Sequence, residues 1–554
     1  MKKLHFFLLS LLGGLLLFAA WPVSPLTFLI FIAWIPLLFL ADETPKRLPF
    51  FAWTYLTMLF WNAGTTWWVC NSTLPGGIAA ILANSLLMCI PWMGFYNIKR
   101  RMGERIAFPA LILFWMSFEY IHLNWQLSWP WLTLGNVFAT HPGWVQWYEY
   151  TGTSGGTLWV LVVNWLLFLF IREKWLTAII NIRYSLAFLL ALGIPFLFSI
   201  IPDYSVTPDT AGHNAVPYSD SPATKTTIPI VQNPNIVLVQ PNIDPYDEKF
   251  VAGQAERQLH ELIRLSEARI DPHTALVVWP ETAIPVQINE DEMKTTYFMA
   301  PVWDFLKRHP GINLLTGIEG FRFYDAQHKT PYSTRIPGSE KYVEPYNSAA
   351  VLDSNDFHIY HKSRLVPGVE TIPPFLHFMD AWFEKFGGTT GGYAPQQERT
   401  VLTTFNGSYR IAPAVCYESI YGEFMSEYVR NGADLIVIIT NDGWWGNTAG
   451  YKQHENYARL RAIETRRWIA RSANTGITCF IDPGGRVIRP QPWDTPAAIK
   501  MEIPASKKMT FYARHGDLLS RLALIGTLLL VLWDAVAIAR AFGSREKTSR
   551  EKNE

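Results

Sequence analysis

The chain carries two hydrophobic textures. Near-continuous apolar runs recur at residues 4–20, 24–40, 48–69, 76–98, 106–122, 155–171 and 184–201, with an eighth at 517–538. Each is close to the length that crosses ~30 Å of hydrocarbon, so each predicts a transmembrane helix. Between the seventh and eighth runs the pattern changes. Residues 202–234 are rich in Pro, Ser, Thr and Asp without periodic apolar spacing, and read as a linker. From Asn235 onward, short β-branched runs alternate with helical stretches. Strands are predicted at 235–240, 275–279, 312–318, 348–353, 357–361, 410–416, 434–440 and 477–481, and helices at 252–269, 294–309, 421–431 and 452–473. This alternation predicts a layered α/β domain over 235–510.

The basic residues orient the membrane part. Lys2 and Lys3, Lys46 and Arg47, Lys99 to Arg105, Arg172 to Arg183, and the tail 539–554 with Arg540, Arg545 and Lys547 fall on alternate sides of the runs. The intervening loops 21–23, 70–75 and 123–154 contain no Lys or Arg. By the positive-inside rule both termini are cytoplasmic, and the long segment 202–516 lies outside the cytoplasmic membrane. The first run, with two lysines ahead of it and small residues behind, also resembles a cleaved signal; the run that follows leaves a membrane protein either way. The outer loop 123–150 is rich in tryptophan and suits either an interfacial aromatic belt or a lipid-binding platform.

Composition agrees. Hydrophobic residues make up 49% and aromatics 15%, with 24 tryptophans, and mean hydropathy is +0.09 despite the polar segments. A net charge of +1 argues against nucleic acid as a partner. Cys70, Cys89, Cys416 and Cys479 have neither metal-ligand nor disulfide spacing, so a chemically active thiol would act alone. There is no Gly-rich phosphate loop and no metal-type histidine cluster; neither metal nor cofactor is expected, and a lone histidine such as His454 reads as structural or solvated.

Three predicted strand ends carry polar residues, where α/β domains gather reactive groups. "LVVWPETAIP" runs into Glu281, "IYHKSRLVPGVETIP" into Lys362 with Glu370 eight residues on, and "RIAPAVCYESIYGE" into Cys416. A thiol at a helix N-terminus beside a lysine should ionise more readily. A carboxylate against Trp279 and Pro280 suits a general base, and an ammonium suits an oxyanion. Together they suffice for acyl transfer through a thioester.

The order Glu, Lys, Cys in "WPETAIP", "HKSRLVPGVE" and "CYE" resembles the nitrilase superfamily of carbon–nitrogen hydrolases. With membrane spans on both sides, and with "VQPNI", "TNDGWWG", "RLRAIETRRWIARSANTGIT" and "YARHGD", the chain resembles the apolipoprotein N-acyltransferase family. The resemblance implies a multi-span α-helical membrane protein with an extracytoplasmic nitrilase-like domain of α-β-β-α layers. It implies Cys416 as nucleophile, Glu281 as proton acceptor and Lys362 as oxyanion stabiliser, with Glu370, Tyr417 and Glu418 in support. The acyl donor would be a phospholipid, commonly phosphatidylethanolamine, and the acceptor the α-amine of a diacylglyceryl-cysteine at a lipoprotein N-terminus. The enzyme would be a monomer in the bacterial inner membrane, its catalytic domain periplasmic.

Departures from the family pattern are Pro241 in "VQPNI" and Phe250 where a tryptophan is usual. Phe250, Phe378, Trp382 and Trp444 are expected to line the lipid site, Phe378 and Trp382 within a membrane-facing lid at 371–395. Burying a methylene is worth ~0.8 kcal/mol, so a site facing the bilayer spares the enzyme from extracting whole acyl chains. A membrane-bound nitrilase-type amidase that delivers its acyl group to water would show the same three residues, and a catalytically dead scaffold is the third possibility.

Overall fold

The computed structural model describes residues 2–177, 181–200, 234–249, 251, 253–372 and 392–550. The expected linker up to Val231, Gln232 and Asn233, and the expected lipid contacts Phe250, Phe378 and Trp382, lie outside the described residues. The chain divides into two compact units, one of residues 1–70, 74–198 and 515–554, the other of residues 71–73 and 199–514.

In the first unit, six helices among the described residues are long and apolar enough to cross a membrane: Lys2–Ala20, Leu74–Met102, Glu104–Leu123, Thr153–Lys174, Ile182–Ile200 and Leu518–Arg540. The apolar run 24–40 is not one helix. It forms a short 3-10 turn, Thr27–Phe31, followed by the nine-residue helix Ile35–Glu43. Asn164 closes the break: its Oδ1 accepts from Trp34 N at 2.9 Å and its Nδ2 donates to Ile30 O at 2.8 Å. Backbone groups freed at an apolar depth need such a partner. The run 48–69 forms the 20-residue helix Arg47–Thr66, which buries the polar Thr54, Thr57, Asn62, Thr65 and Thr66.

Several tryptophans pack inside this unit. Trp34 stacks on Trp92 at 4.9 Å and meets Trp115 edge-on at 4.4 Å, while Trp131 of the tryptophan-rich loop is buried against Trp68 at 5.0 Å. Asp42, Lys99, Glu104 and Arg172, from three of the basic loops, form one ion-pair cluster, with Arg172 2.7 Å from Glu104 and 3.2 Å from Asp42.

The second unit contains strands β1 (Asn235–Gln240), β2 (Thr274–Val278), β3 (Gln287–Asn289), β4 (Asn313–Tyr324), β5 (Thr334–Arg335), β6 (Tyr342–Leu352), β7 (Phe357–His361), β8 (Leu402–Thr403), β9 (Arg410–Val415), β10 (Leu435–Thr440), β11 (Ile469–Ala473), β12 (Cys479–Ile481), β13 (Val487–Ile488) and β14 (Ala497–Glu502). One sheet runs β14-β1-β2-β4-β6-β5, with β3 on β4 and β7 on β6; the other runs β13-β12-β11-β10-β9-β8. β1, β2 and β4 are parallel neighbours, as are β9, β10 and β11. Every residue of β1, β2 and β10 is buried, the pattern of strands covered on both faces.

Helix Ala255–Glu267 buries Leu259, Leu262, Ile263 and Ser266, the i, i+3, i+4, i+7 stripe of an amphipathic helix. With helix Ala300–Arg308 it packs Leu262, Val302 and Phe305 against Val237, Val277 and Leu314 of the first sheet. The sheets meet through β1 and β11, where Ser472 Oγ donates to Val239 O at 2.7 Å. Helices Gly422–Arg430 and Ala449–Thr465 pack on the second sheet, completing α-β-β-α layers. The predicted helix 452–473 is shorter than its charged pattern suggested. It ends at Thr465, Arg466 turns left-handed at φ 51°, and Ile469–Ala473 joins β10 as a parallel strand. Sheet pairing, a long-range choice, overrides the local helical signal there.

Candidate active site

Three loops at strand ends converge. Glu281 follows β2 in the turn Trp279–Thr282. Trp279 N donates to Leu315 O at 2.8 Å and Gly317 N to Pro280 O at 3.1 Å, so the turn lies flat on β4. The approach at Gly317 is so close that a Cβ there would sit 2.6 Å from Glu281 Cα. Lys362 follows β7, its N donating to Asn347 O of β6 at 2.8 Å. Cys416 follows β9 and takes φ 53°, a left-handed conformation that costs a non-glycine residue roughly 1–2 kcal/mol. The left-handed turn ends the strand's alternation at Cys416.

The charged groups are tightly joined. Lys362 Nζ donates to Glu281 Oε1 at 3.2 Å and to Glu370 Oε1 at 2.8 Å. Asn347 Nδ2 bridges the same two oxygens at 2.9 Å each. Asn441 N donates to Glu281 Oε2 at 3.1 Å, and Val366 N to Glu370 Oε2 at 2.8 Å. Glu418 laces the Cys416 turn to the Lys362 loop: its Oε2 accepts from Val415 N at 2.8 Å, and its Oε1 from Ser363 N at 2.7 Å, Arg364 N at 3.1 Å and Tyr360 Oη at 2.6 Å. Tyr417 is buried edge-on against Tyr421 at 5.3 Å. Trp444 is half-buried; its carbonyl accepts from Tyr246 Oη at 2.9 Å.

Cys416, Glu281 and Lys362 are all buried, at 8%, 6% and 1% exposure. Burial opposes the charge of Lys362, but Glu281 and Glu370 outweigh it and hold its ammonium well above the usual lysine range. At Cys416 the balance corrects the sequence-based expectation. Burial first, then the charge of Glu281, push the thiol well above its ordinary value, against the smaller helping effect of Lys362. The element after Cys416 is a five-residue 3-10 turn, Cys416–Ile420, with no long helix whose N-terminus could favour a thiolate. Both effects favour the protonated thiol at Cys416, with the Glu281 carboxylate among the charged groups that act on it.

The sequence did not point to Asn347, although an asparagine inside the apolar strand "YNSAAV" was a signal. From sequence, His454 is expected to be structural or solvated, and Thr440, Asp442 and Arg471 are given no catalytic role. These four form a fully buried hydrogen-bonded group beneath Cys416. Among the described residues no group of His, Cys, Asp and Glu could hold a metal ion.

The carbon–nitrogen hydrolase model matches residues 235–508, and the apolipoprotein N-acyltransferase N-terminal domain model matches residues 13–166. An apolipoprotein N-acyltransferase from Chlorobaculum tepidum is 34% identical over 545 residues, 95% of this chain and 96% of that one. The chain belongs to the apolipoprotein N-acyltransferase family. A second family member, from Geobacter metallireducens, is 26% identical over 97% of this chain and 95% of its own. An amidase structure from Nesterenkonia sp. aligns with 53% of this chain and 98% of its own, at 15% identity and a TM-score of 0.35. As a member of this family the chain is a membrane enzyme that catalyses acyl transfer in lipoprotein maturation, on a nitrilase-superfamily fold, with lipid and lipoprotein as its substrates.

Proposed function

We propose that Cys416 carries the acyl group between the two substrates. Its sulfur attacks the sn-1 ester carbonyl of a phospholipid, phosphatidylethanolamine being the expected donor, while the thiol proton passes to Glu281. The Lys362 ammonium faces the tetrahedral oxyanion. Collapse expels the lysophospholipid alkoxide, which takes the proton back from Glu281 and leaves an S-acyl thioester. The free α-amine of a diacylglyceryl-cysteine then attacks the thioester, Glu281 accepts the amine proton, and the sulfur departs and is reprotonated. The product is an amide, and the lipoprotein becomes triacylated.

The observation that carries this reading is the convergence of three strand-end loops: Lys362 bonds both Glu281 and Glu370, and Glu418 ties the Cys416 turn to the Lys362 loop. Glu370, Tyr417 and Glu418 hold the site rather than react: their partners are Lys362, backbone amides and neighbouring rings. Phe250, Phe378, Trp382 and Trp444 would contact acyl tails, by their aromatic character and place in the sequence. The enzyme is read as a monomer of the bacterial inner membrane, with both termini cytoplasmic and the 235–510 domain periplasmic. The ion-pair cluster that joins three of the basic loops supports that orientation.

Incubation of the purified full chain with phospholipid alone should add the mass of one fatty acyl group, and Cys416→Ala should abolish the gain. A diacylglyceryl peptide should then discharge the acyl group as amide. Release as free fatty acid would instead establish a hydrolase.

A further inference from the structure

Behind the nucleophile lies a group of side chains that the acyl-transfer steps above do not use. Asp442 comes from the turn after β10, His454 from helix Ala449–Thr465 and Arg471 from β11, and each is fully buried. Asp442 Oδ2 accepts from Arg471 Nη2 at 2.6 Å, and its Oδ1 accepts from Thr440 Oγ and His454 Nδ1, both at 2.9 Å. Burial opposes the charge of Asp442, but Arg471 and His454 outweigh it and hold it down at about 2, so it is a carboxylate that can only accept. His454 Nδ1 therefore carries a proton, and Asp442 fixes the orientation of the ring.

The opposite edge of that ring meets the backbone of the nucleophile. His454 Nε2 lies 3.1 Å from Cys416 O and 3.0 Å from Ser419 Oγ, and Ser419 Oγ donates to Cys416 O at 2.8 Å. Imidazole, hydroxyl and carbonyl thus form one triangle of contacts around the peptide oxygen of Cys416. Cys416 is left-handed at φ 53°, a conformation that persists in a non-glycine residue only where its surroundings fix it. On the N-terminal side the fixing comes from Glu418, whose Oε2 accepts from Val415 N at 2.8 Å. On the C-terminal side it comes from Ser419 and His454 at the carbonyl. Glu418 and Ser419 belong to the turn Cys416–Ile420 itself, whereas His454 ties the carbonyl through Asp442 to β10 and β11. The carbonyl carbon and the Cβ share one Cα, so a carbonyl that swings moves the sulfur with it.

We propose that His454, with Ser419, is a positioning residue of the acyl-transfer reaction: the two side chains hold the Cys416 carbonyl and so fix the left-handed backbone that carries the sulfur. Neither side chain makes or breaks a bond in the reaction. The Asp442–Arg471 pair is the frame that keeps the imidazole in place. This inference rests on Cys416 being the nucleophile.

The test uses the full chain in detergent micelles, following acyl-enzyme mass over time at several phospholipid concentrations, beside thermal unfolding. Two substitutions separate the two ring nitrogens. His454→Asn sets an amide near the place of Nδ1, keeping a donor for Asp442 and giving up the carbonyl. His454→Gln sets an amide near the place of Nε2, keeping the carbonyl and giving up Asp442. His454→Asn should slow acyl-enzyme formation about tenfold at unchanged KM for phospholipid, while His454→Gln stays within about threefold of the wild type and melts no higher than His454→Asn. A purely structural role predicts the reverse order of rates, because the bond to Asp442 would then be the one that matters. Ser419→Ala removes the hydroxyl from the same carbonyl and should slow the same step about threefold. Should His454→Asn fail to fold, Ser419→Ala decides, and an unchanged rate there overturns the proposal. Wild-type rates in His454→Asn overturn it too, as does a greater loss in His454→Gln than in His454→Asn. A wild type that gains no acyl mass from phospholipid overturns the nucleophile assignment itself, and this role with it.

Discussion

Replacing Gly317 by alanine should disable the site while leaving the domain folded. Gly317 lies within β4, and its φ is not positive, so the backbone itself accepts a side chain. The obstacle is the Glu281 turn. A Cβ at 317 would lie 2.4 Å from Thr282 N, 2.6 Å from Glu281 Cα and 2.7 Å from Pro280 O, all parts of one backbone turn, where ordinary contact begins at 3.4 Å. The turn must therefore retreat by about 1 Å, the difference between 3.4 and 2.4 Å. Glu281 reaches Lys362, Asn347 and Asn441 over 3.2, 2.9 and 3.1 Å, bonds that a shift of that size would break or misalign. Overpacking of this kind costs about 1–3 kcal/mol, within what a domain tolerates, whereas a 1 Å misplacement of a reacting group costs about 10²-fold in rate. The assay is a time course of acyl-enzyme mass with phospholipid, beside thermal unfolding. Gly143→Ala serves as control, because no atom lies within 4 Å of its Cβ position. Acyl-enzyme formation by Gly317→Ala within twofold of the wild type would show that the Glu281 turn does not need its place against β4.

Glu281→Gln keeps the shape but removes the proposed proton acceptor, and should abolish the acyl adduct on intact-mass measurement while the protein stays folded. Glu370→Gln leaves the buried Lys362 with one carboxylate instead of two; it should lower thermal stability, by about 3 kcal/mol if Lys362 stays charged, and slow the first step, as circular dichroism melts and adduct kinetics would show. Burial and Glu281 raise the Cys416 thiol, so its alkylation rate should still be climbing at pH 9 rather than reaching a plateau near the ordinary thiol value. A raised thiol favours the protonated fold, so this contribution to stability is full below the ordinary value and is lost as pH rises through the shifted one. Burial also raises Asp434 to about 6 from 3.8, roughly two units; the fold is most favoured with Asp434 protonated and loses up to about 3 kcal/mol as pH rises through 6. Asp434→Asn, whose amide oxygen can still accept from Arg410 N, should therefore raise the melting temperature at pH 8 and leave it nearly unchanged at pH 4.

Local pattern carried much of the architecture. A run of twenty apolar residues has few fates besides a membrane helix, and the buried strands β1, β2 and β10 are uninterrupted aliphatic runs, so both textures were legible along the chain. The positions of Glu281, Lys362 and Cys416 at strand ends were legible for a similar reason: each follows a strand within three residues, where chain direction alone puts it at a sheet's end. Wherever the outcome depended on partners distant in sequence, the pattern was not enough. The 24–40 run is broken because Asn164, more than a hundred residues away, satisfies its backbone, and 469–473 is a strand because β10 lies beside it. The thiol of Cys416 ionises less readily than the sequence predicts because burial and the field of Glu281 arise only once three loops converge, and a one-dimensional spacing contains neither dielectric nor distance. The buried chain of hydrogen bonds from Thr440 through Asp442 and His454 to the Cys416 carbonyl is a property of tertiary structure for the same reason: hydrogen bonds are made by proximity and direction, which folding alone supplies.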